Sequence, residues 1–265
     1  MTKFRNLLGW TRDSYYLLSA FILICLLIVY IWWPLVEEYI SYMDGRFPWY
    51  VYVDWLLLGI FLFMSFTIMT RANLRVDGLI IFVGFLGGLV IESWGTQTNL
   101  WHYYTAERPP LWILPAWPIA SLSIDRITRA LNHLLPKNND ILFKILYWLT
   151  FGGFSLLMIW FVAPTFDKSY TIAALIICAI MILTPPDWRM SFIVFVAGAG
   201  LGYFLELWGT TRLCWIYYTE ETPPLFAVLA HGMAAIAFWR TGLIVQRLWN
   251  LFVTKLSHQP PTFNS

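Results

Sequence analysis

Two glutamates, Glu92 and Glu206, stand at the ends of long apolar runs and are the side chains best suited to chemistry in this sequence. An ionisable group in such a run is costly to bury and marks a candidate catalytic site. Apolar surroundings favour the neutral acid, which can donate a proton to a substrate. In the alternative, structural interpretation each glutamate pairs with a nearby arginine or threonine hydroxyl. The candidate partners for that role are Arg108, Arg212, Thr96 and Thr210.

Each glutamate opens a 20-residue motif, ESWGTQTNLWHYYTAERPPL at 92–111 and ELWGTTRLCWIYYTEETPPL at 206–225, with 12 identical positions. Aromatic residues in both motifs are candidates for substrate binding, because ring faces line a polyene well and stabilise a carbocation. These residues are Trp94, Trp101, Tyr103, Tyr104, Trp208, Trp215, Tyr217 and Tyr218. The alternative for these rings is an aromatic belt at the membrane interface. Gly95 and Gly209 are expected to end the preceding helices.

The two copies of the motif, and the segments that follow them, differ at three positions whose side chains could take part in chemistry. Sliding the chain by 114 residues aligns His102 with Ile216, His231 with Trp117, and Arg212 with Thr98. This divergence indicates two half-sites that specialise within one composite site, so the two histidines, His102 and His231, join the candidate catalytic groups. Arg212 is a candidate substrate-binding residue and, if the two side chains lie close together, should hold Glu206 ionised. The resulting hypothesis makes Glu92 the proton donor and Glu206 its electrostatic partner.

Several other chemistries lack a motif in this chain. Patterns typical of metal hydrolysis, haem attachment, phosphoryl transfer and serine catalysis are absent from the sequence, and the three cysteines lie far apart. We therefore expect no cofactor and no metal site. The net charge of +2 and the lack of a long basic stretch argue against nucleic acid as a partner.

Composition places these residues in a membrane. Apolar residues make up 59% of the chain and charged residues 12%, and the mean hydropathy is +0.65. A soluble domain carries about 25% charged residues. Eight segments are apolar enough to predict spanning helices of about 20 residues. They are 15–33, 49–70, 76–94, 110–131, 141–163, 170–185, 190–208 and 224–250.

Loop charge predicts the orientation of these segments. With a cytoplasmic N-terminus, 13 of the 17 lysines and arginines lie in cytoplasmic segments, as the positive-inside rule requires. The prediction is a multi-pass protein of the cytoplasmic membrane with both termini in the cytoplasm.

An internal repeat organises the chain. Residues 70–126 align with residues 184–240 without a gap, and 19 of the 57 positions are identical. We therefore predict an all-α membrane protein of two parallel four-helix repeats, 1–134 and 135–265, related by a pseudo-twofold axis along the membrane normal. Small residues in GxxxG spacing, Gly84 with Gly88 and Gly198 with Gly202, predict close helix packing between the copies, with another membrane protein or in a homo-oligomer.

Part of the first motif resembles known membrane enzymes. The pattern Glu-x-x-Gly-Thr-x-Thr, then Tyr-Tyr-Thr, then Leu-Pro-Ala-Trp is similar to the membrane-embedded carotenoid biosynthesis proteins, which include carotenoid hydratases. The matching positions are Glu92, Gly95, Thr96, Thr98, Tyr103, Tyr104, Thr105, Pro110, Leu114, Pro115, Ala116 and Trp117. The duplicated helices with Trp-x-Tyr also resemble the lycopene cyclase domain. The resemblance covers about 84–120 and, more faintly, 198–235.

The resemblance implies acid-initiated chemistry on a polyene, in which a carboxylic acid protonates the alkene and water or an internal alkene captures the cation. A membrane lipid or polyene is then the expected substrate. Two other functions are left open by the sequence: a non-catalytic subunit or assembly factor of a membrane complex, and a transporter of lipids or small molecules.

Overall fold

The structure, a computed structural model, describes residues 8–135 and 140–257. Its regular structure is almost entirely helical, which confirms the all-α class. The helices of the described residues are α1 (Arg12–Ile31), α2 (Trp33–Ser41), α3 (Trp55–Met69), α4 (Leu74–Gln97), α5 (Ala116–Leu134), α6 (Asp140–Val162), α7 (Ser169–Leu183), α8 (Trp188–Thr211) and α9 (Leu225–Ser257). Two 3-10 turns, Trp49–Tyr52 and Ala163–Thr165, and two strands, β1 (Trp101–Tyr103) and β2 (Trp215–Tyr217), complete it.

Five of these helices, α1, α4, α6, α8 and α9, are long and apolar enough to cross a membrane. The apolar helices α3 and α7 have 15 residues each, and α5 is more polar than the others. The exterior of the bundle suits a hydrocarbon environment, because many large apolar side chains point outward. More than half of the side-chain surface is exposed for Leu23, Leu156, Ile180 and Leu251, among others.

Short polar side chains begin three of the helices. Asp54 accepts a hydrogen bond from the Leu57 amide at 3.1 Å, and Asp187 accepts one from Met190 at 2.8 Å. Asn73 caps α4 in the same way. These caps satisfy amides that have no partner within the helix.

Some predicted helix ends differ from the structure. α4 and α8 continue two residues past Gly95 and Gly209, because the next residues keep helical hydrogen bonding until Thr98 and Arg212. α5 begins only at Ala116, although its predicted segment begins at residue 110. Turns fill residues 111–115 instead.

Four helices form the centre of the bundle. α4 packs against α5 and α8 packs against α9, while α5 also contacts α8 and α9 also contacts α4. α3 lies against α5 and α8, and α7 lies against α9 and α4. The second copy therefore repeats the neighbour relations of the first for these helices.

The GxxxG glycines lie within each copy, against the following helix. A Cβ on Gly88 would overlap the Trp117 side chain, and one on Gly202 would overlap His231. Gly84 and Gly198 are equally closed by α5 and α9. The prediction that these faces join the two copies is wrong, because each face is covered by the next helix of its own copy. The association with another protein or a second copy of the chain stays a prediction.

Candidate functional site

The two motif loops meet as a short antiparallel ladder. β1 pairs with β2 in the register Trp101 with Tyr217, His102 with Ile216, and Tyr103 with Trp215. Two flanking hydrogen bonds extend the ladder, from the Tyr104 amide to Cys214 and from the Tyr218 amide to Leu100. Alternate strand residues point to opposite faces. The Trp and Tyr side chains of both strands therefore turn inward.

The same alternation places His102 on the outer face, where it is exposed. Both glutamates lie on the inner side, so His102 is not brought together with them. Its predicted catalytic role has no contact in the structure to support it.

A tight turn connects each helix to its strand. Asn99 and Leu213, at equivalent positions, both have positive φ angles, 59° and 55°. The turn folds the tryptophan two residues later back over the helix end. A Cβ on Gly95 would overlap the Trp101 ring, and one on Gly209 would overlap the Trp215 ring. Glycine is needed here for close approach of the ring, which explains why both motifs contain it.

The first half-site surrounds Glu92 with donors. Glu92 is 3% exposed. Its Oε1 accepts hydrogen bonds from the Tyr103 hydroxyl at 2.8 Å and from Trp117 Nε1 at 3.1 Å. Its Oε2 accepts one from Trp101 Nε1 at 3.2 Å. An indole N–H can only donate, so both tryptophans require acceptor oxygens on Glu92.

The second half-site repeats this arrangement with one change. Glu206 is 2% exposed, and its Oε1 accepts from the Tyr217 hydroxyl at 2.9 Å. Its Oε2 accepts from Trp215 Nε1 at 3.0 Å. In place of the third indole, His231 Nε2 lies 2.9 Å from Oε1. An imidazole nitrogen can donate, accept or carry a proton, which an indole cannot do.

The two half-sites face each other as one site. The Trp117 and His231 rings stack with centroids 6.0 Å apart and planes 23° apart. Trp101 contacts Tyr217 at 5.9 Å, and Tyr103 contacts Trp215 at 6.1 Å, between ring centroids.

The buried tyrosines stay protonated. Burial raises the pKa of Tyr103 and of Tyr217 well above the ordinary value, and the nearby carboxylates of Glu92 and Glu206 raise it further. Both hydroxyls therefore remain hydrogen-bond donors to the glutamates over the whole physiological range.

Arg212, which was expected to pair with Glu206, pairs with a different carboxylate. Arg212 Nε lies 2.9 Å from Asp54 Oδ2, on the exposed side of the motif. Burial opposes the charge on Asp54, but bonds from Arg212, Leu57 and Trp208 outweigh it and lower the pKa of this carboxyl. The condition for Arg212 to hold Glu206 ionised is not met, because Arg212 forms its ion pair with Asp54 at the start of α3 instead.

The threonine hydroxyls also have a different role from the one considered. Thr96 and Thr210 each donate a hydrogen bond of 2.5 Å to the backbone carbonyl of the preceding glutamate, not to its side chain. Arg108 is exposed and forms no ion pair with Glu92. Neither glutamate is therefore neutralised in the way that the structural interpretation requires.

The remaining predicted aromatics form a second layer. Trp94 donates to Thr171 Oγ1 at 3.1 Å and meets Trp101 edge-on. Trp208 donates to Asp54 at 3.0 Å and stacks on Trp32 at 6.0 Å. Tyr104 and Tyr218 are exposed, although the Tyr218 hydroxyl donates to the Phe161 carbonyl.

Sequence reasoning left three residues out of the site: Trp117, Asp54 and Trp32. The sequence could have indicated Trp117, because the 114-residue offset aligns it with His231. Asp54 and Trp32 lie before the aligned region, and nothing in the sequence marks them.

A cavity of about 1540 Å³ reaches both glutamates and opens to the exterior of the bundle. Its walls are mostly apolar and come from helices of both copies. Trp117, His231 and Phe238 line it near the carboxylates, while Arg75 and Arg129 line its opposite end. Among residues 8–135 and 140–257, no group of three or more His, Cys, Asp or Glu side chains could hold a metal ion.

Comparison of the chain with protein-family models, with curated proteins and with solved structures gave no match. The functional conclusion therefore depends on the geometry of this site and on the motif resemblance.

Proposed function

We propose that this chain is a membrane-embedded enzyme that protonates a carbon–carbon double bond of an isoprenoid or carotenoid. The contact that carries the proposal is His231 Nε2 to Glu206 Oε1, at 2.9 Å inside a buried site with aromatic walls. This pair can hold and release a proton next to an apolar cavity. The resemblance to carotenoid biosynthesis proteins supplies the substrate class.

The proton source in this proposal is the Glu206–His231 pair, not Glu92. All three groups bonded to Glu92 donate to its oxygens, and two of them are indoles that can do nothing else. Neither indole can accept a proton and pass it back to Glu92 after a transfer, whereas the imidazole beside Glu206 can. Glu92 is therefore the electrostatic partner, and it stabilises positive charge that develops in the substrate. This reverses the roles that the sequence hypothesis gave the two glutamates.

The reaction balances without a redox partner. A proton moves from the Glu206–His231 pair to one carbon of the double bond, and the π electrons form the new C–H bond. The cation left on the neighbouring carbon faces the indole and phenol rings, which stabilise it. Water adds to the cation in a hydration, or an internal alkene attacks it in a cyclisation. The adduct then loses one proton, which returns to the Glu206–His231 pair.

The proposed topology has eight crossings, with both termini in the cytoplasm. α5 runs antiparallel along α4, since Trp117 lies at Glu92 and Arg126 lies at Asp77, 15 residues earlier on α4. At 1.5 Å per residue the two contacts span about 22 Å of α4 and about 14 Å of α5, and the 19 residues of α5 together span about 28 Å, close to the thickness of a bilayer core. Along α6 and α7, Tyr147 bonds to the Ile182 carbonyl, and Thr171, at the other end of α7, bonds to Thr165. These contacts support crossings by the short helices as well.

A proton-coupled transporter is the second candidate function. The cavity that reaches the glutamates also reaches Arg75 and Arg129 at the opposite end of the helices. A path of this kind suits movement of a solute, and a His–Glu pair suits coupling to protons. A docking subunit has less support, because the glycine faces expected to bind a partner are covered by α5 and α9.

Conversion of a linear polyene by isolated membranes would test the proposal. Membranes from cells with and without the gene are incubated with an unlabelled linear polyene in ordinary water and in deuterated water, and the pigments are separated by chromatography and mass spectrometry. The enzyme should yield a new product that carries one non-exchangeable deuterium from solvent. Unchanged pigments in membranes that contain the folded protein would contradict it, and solute uptake without a new product would favour the transporter.

A further inference from the structure

At the end of the bundle opposite the glutamates, the two copies differ in the surroundings of one pair of equivalent arginines. Arg126 on α5 and Arg240 on α9 are 114 residues apart and occupy equivalent positions. Their surroundings differ in charge, and this difference points to a second binding site.

Arg126 is fully neutralised within the chain. Its Nη2 lies 2.6 Å from Asp77 Oδ2, and its Nη1 lies 2.5 Å from Asp125 Oδ2. Its Nε donates to the Thr70 carbonyl at 3.0 Å. Arg126 is 6% exposed and Asp77 is 1% exposed, so the charges are buried together. A buried cation with this set of acceptors needs no external partner.

The two carboxylates around Arg126 have no counterpart at Arg240. Ser191 replaces Asp77, and its hydroxyl donates to the Asp187 carbonyl. Trp239 replaces Asp125. In the part of the chain that the structure describes, the buried Nε and Nη1 of Arg240 have no hydrogen-bond partner. Two buried donors on a cation without acceptors are strongly destabilising.

The chain offers no other carboxylate side chain for this role. Residues 1–7, 136–139 and 258–265 contain no Asp or Glu, so every acidic side chain lies in the described residues. None of those carboxylates forms an ion pair with Arg240. No acidic side chain of the described residues therefore supplies the negative charge that Asp77 and Asp125 supply to Arg126.

The position of Arg240 indicates where that charge comes from. It lies 15 residues after Leu225, or about 22 Å along α9, near the far side of a bilayer core. Arg240 is only half-buried, so a ligand can approach it from the exterior. The neighbouring Tyr147 packs on Trp188, and the Lys144 ammonium lies over the Trp188 ring at 5.6 Å. Lys144 is thus a second cation beside the Tyr147–Trp188 pair.

We propose that Arg240 binds the phosphate of an anionic phospholipid from the cytoplasmic leaflet, with Lys144 as a second positive contact. Arginine matches the geometry of phosphate oxygens with its planar donors. The lipid phosphate supplies the negative charge that Asp77 and Asp125 supply in the first copy. This inference rests on the proposed topology but does not depend on the chemistry of the glutamate site.

Thermal unfolding of the purified protein in neutral detergent tests the site. Phosphatidylglycerol, phosphatidylcholine and inorganic phosphate are added in separate arms. Phosphatidylglycerol at about 100 times its Kd should raise the Tm of the native chain by roughly 5–10 °C. Phosphatidylcholine and inorganic phosphate should raise it far less. An equal rise with inorganic phosphate would overturn the assignment to a lipid.

Three variants make the test specific. Arg240→Gln should lose the rise caused by phosphatidylglycerol. Ser191→Asp supplies the carboxylate of the first copy, so it should raise the Tm without lipid and abolish the response to lipid. Arg247→Gln removes an exposed cation from the same helix and should keep the full response. If Arg240→Gln or Ser191→Asp keeps the response, or if Arg247→Gln loses it, the site is wrong. If Arg240→Gln does not fold, Ser191→Asp decides alone, and none of these measurements involves turnover.

Discussion

Trp117 and His231 occupy equivalent positions on α5 and α9, their rings stack at 6.0 Å, and each bonds to the glutamate of its own copy. Only His231 can exchange a proton. A single replacement thus separates a site that fixes a carboxylate from a site that can do acid–base chemistry. The rest of the two half-sites is nearly the same, so this pair is where catalytic asymmetry enters.

The close approach of α8 to α9 predicts a stability effect. Gly202→Leu should lower folded yield and melting temperature, because its side chain would overlap His231. Overpacking of this kind costs about 1–3 kcal/mol of unfolding free energy. Gly200→Leu, on the same helix, is the matched control, since nothing lies within 4 Å of a Cβ there. Equal melting of the two variants, measured in detergent, would show that the glycine contact has no packing role.

The buried ion pair predicts a second effect on stability. Asp77→Asn removes the more deeply buried of the two carboxylates paired with Arg126, while Asp125 remains, and should reduce the unfolding free energy by about 1–3 kcal/mol. Asp44→Asn breaks the exposed pair with Arg46 and should change it little. Denaturant unfolding of both variants measures the difference. Similar midpoints for Asp77→Asn and the native chain would refute the assignment of a structural role to this pair.

The tyrosines of the site predict a dependence on alkaline pH. The pKa of Tyr103 and of Tyr217 is raised in the folded state. Each therefore contributes stability that is complete below the unfolded pKa of about 10 and is lost as pH rises above it. The melting temperature should fall above about pH 10, and the double variant Tyr103→Phe, Tyr217→Phe should show a smaller fall. An unchanged slope in that variant would mean that other groups cause the loss.

The sequence predicted the parts of this structure that depend on local pattern. Apolar runs gave the helical class, and the strongest runs became α1, α4, α6, α8 and α9. The repeated motif drew attention to Glu92 and Glu206, which the structure buries in matching hydrogen-bond networks. These features follow from periodicity and from identical residues at a fixed spacing, so they can be read without coordinates.

Contacts between distant segments were beyond the sequence. Asp54 lies 158 residues before Arg212, and no pattern joins them, yet their ion pair removes Arg212 from the glutamate site. The outward turn of His102 depends on strand alternation in a three-residue ladder that hydropathy does not reveal. GxxxG spacing predicted close packing correctly, but not which helix would be the neighbour.

The proposed topology predicts where two reporters should lie. A reporter fused after Ser265 should be active in the cytoplasm, and one inserted near Ala106 should lie on the opposite side. The reason is the 13-to-4 division of basic residues and the even number of crossings in each copy. Phosphatase and fluorescence reporters measure the two locations. The same location for both would sink the eight-helix arrangement.

The central claim is that the proton comes from the Glu206–His231 pair. It is tested most directly by polyene conversion in His231→Gln beside Trp117→Phe, with protein yield followed by immunoblot. Both variants remove one bond to a glutamate, but only the first removes a group that carries a proton. General acid–base catalysis contributes about 10²–10⁴-fold, so His231→Gln should lose at least about 100-fold of product formation. Trp117→Phe should lose less than about tenfold, the scale of one hydrogen bond. Equal losses in the two variants, or normal product from His231→Gln at equal yield, would contradict the account.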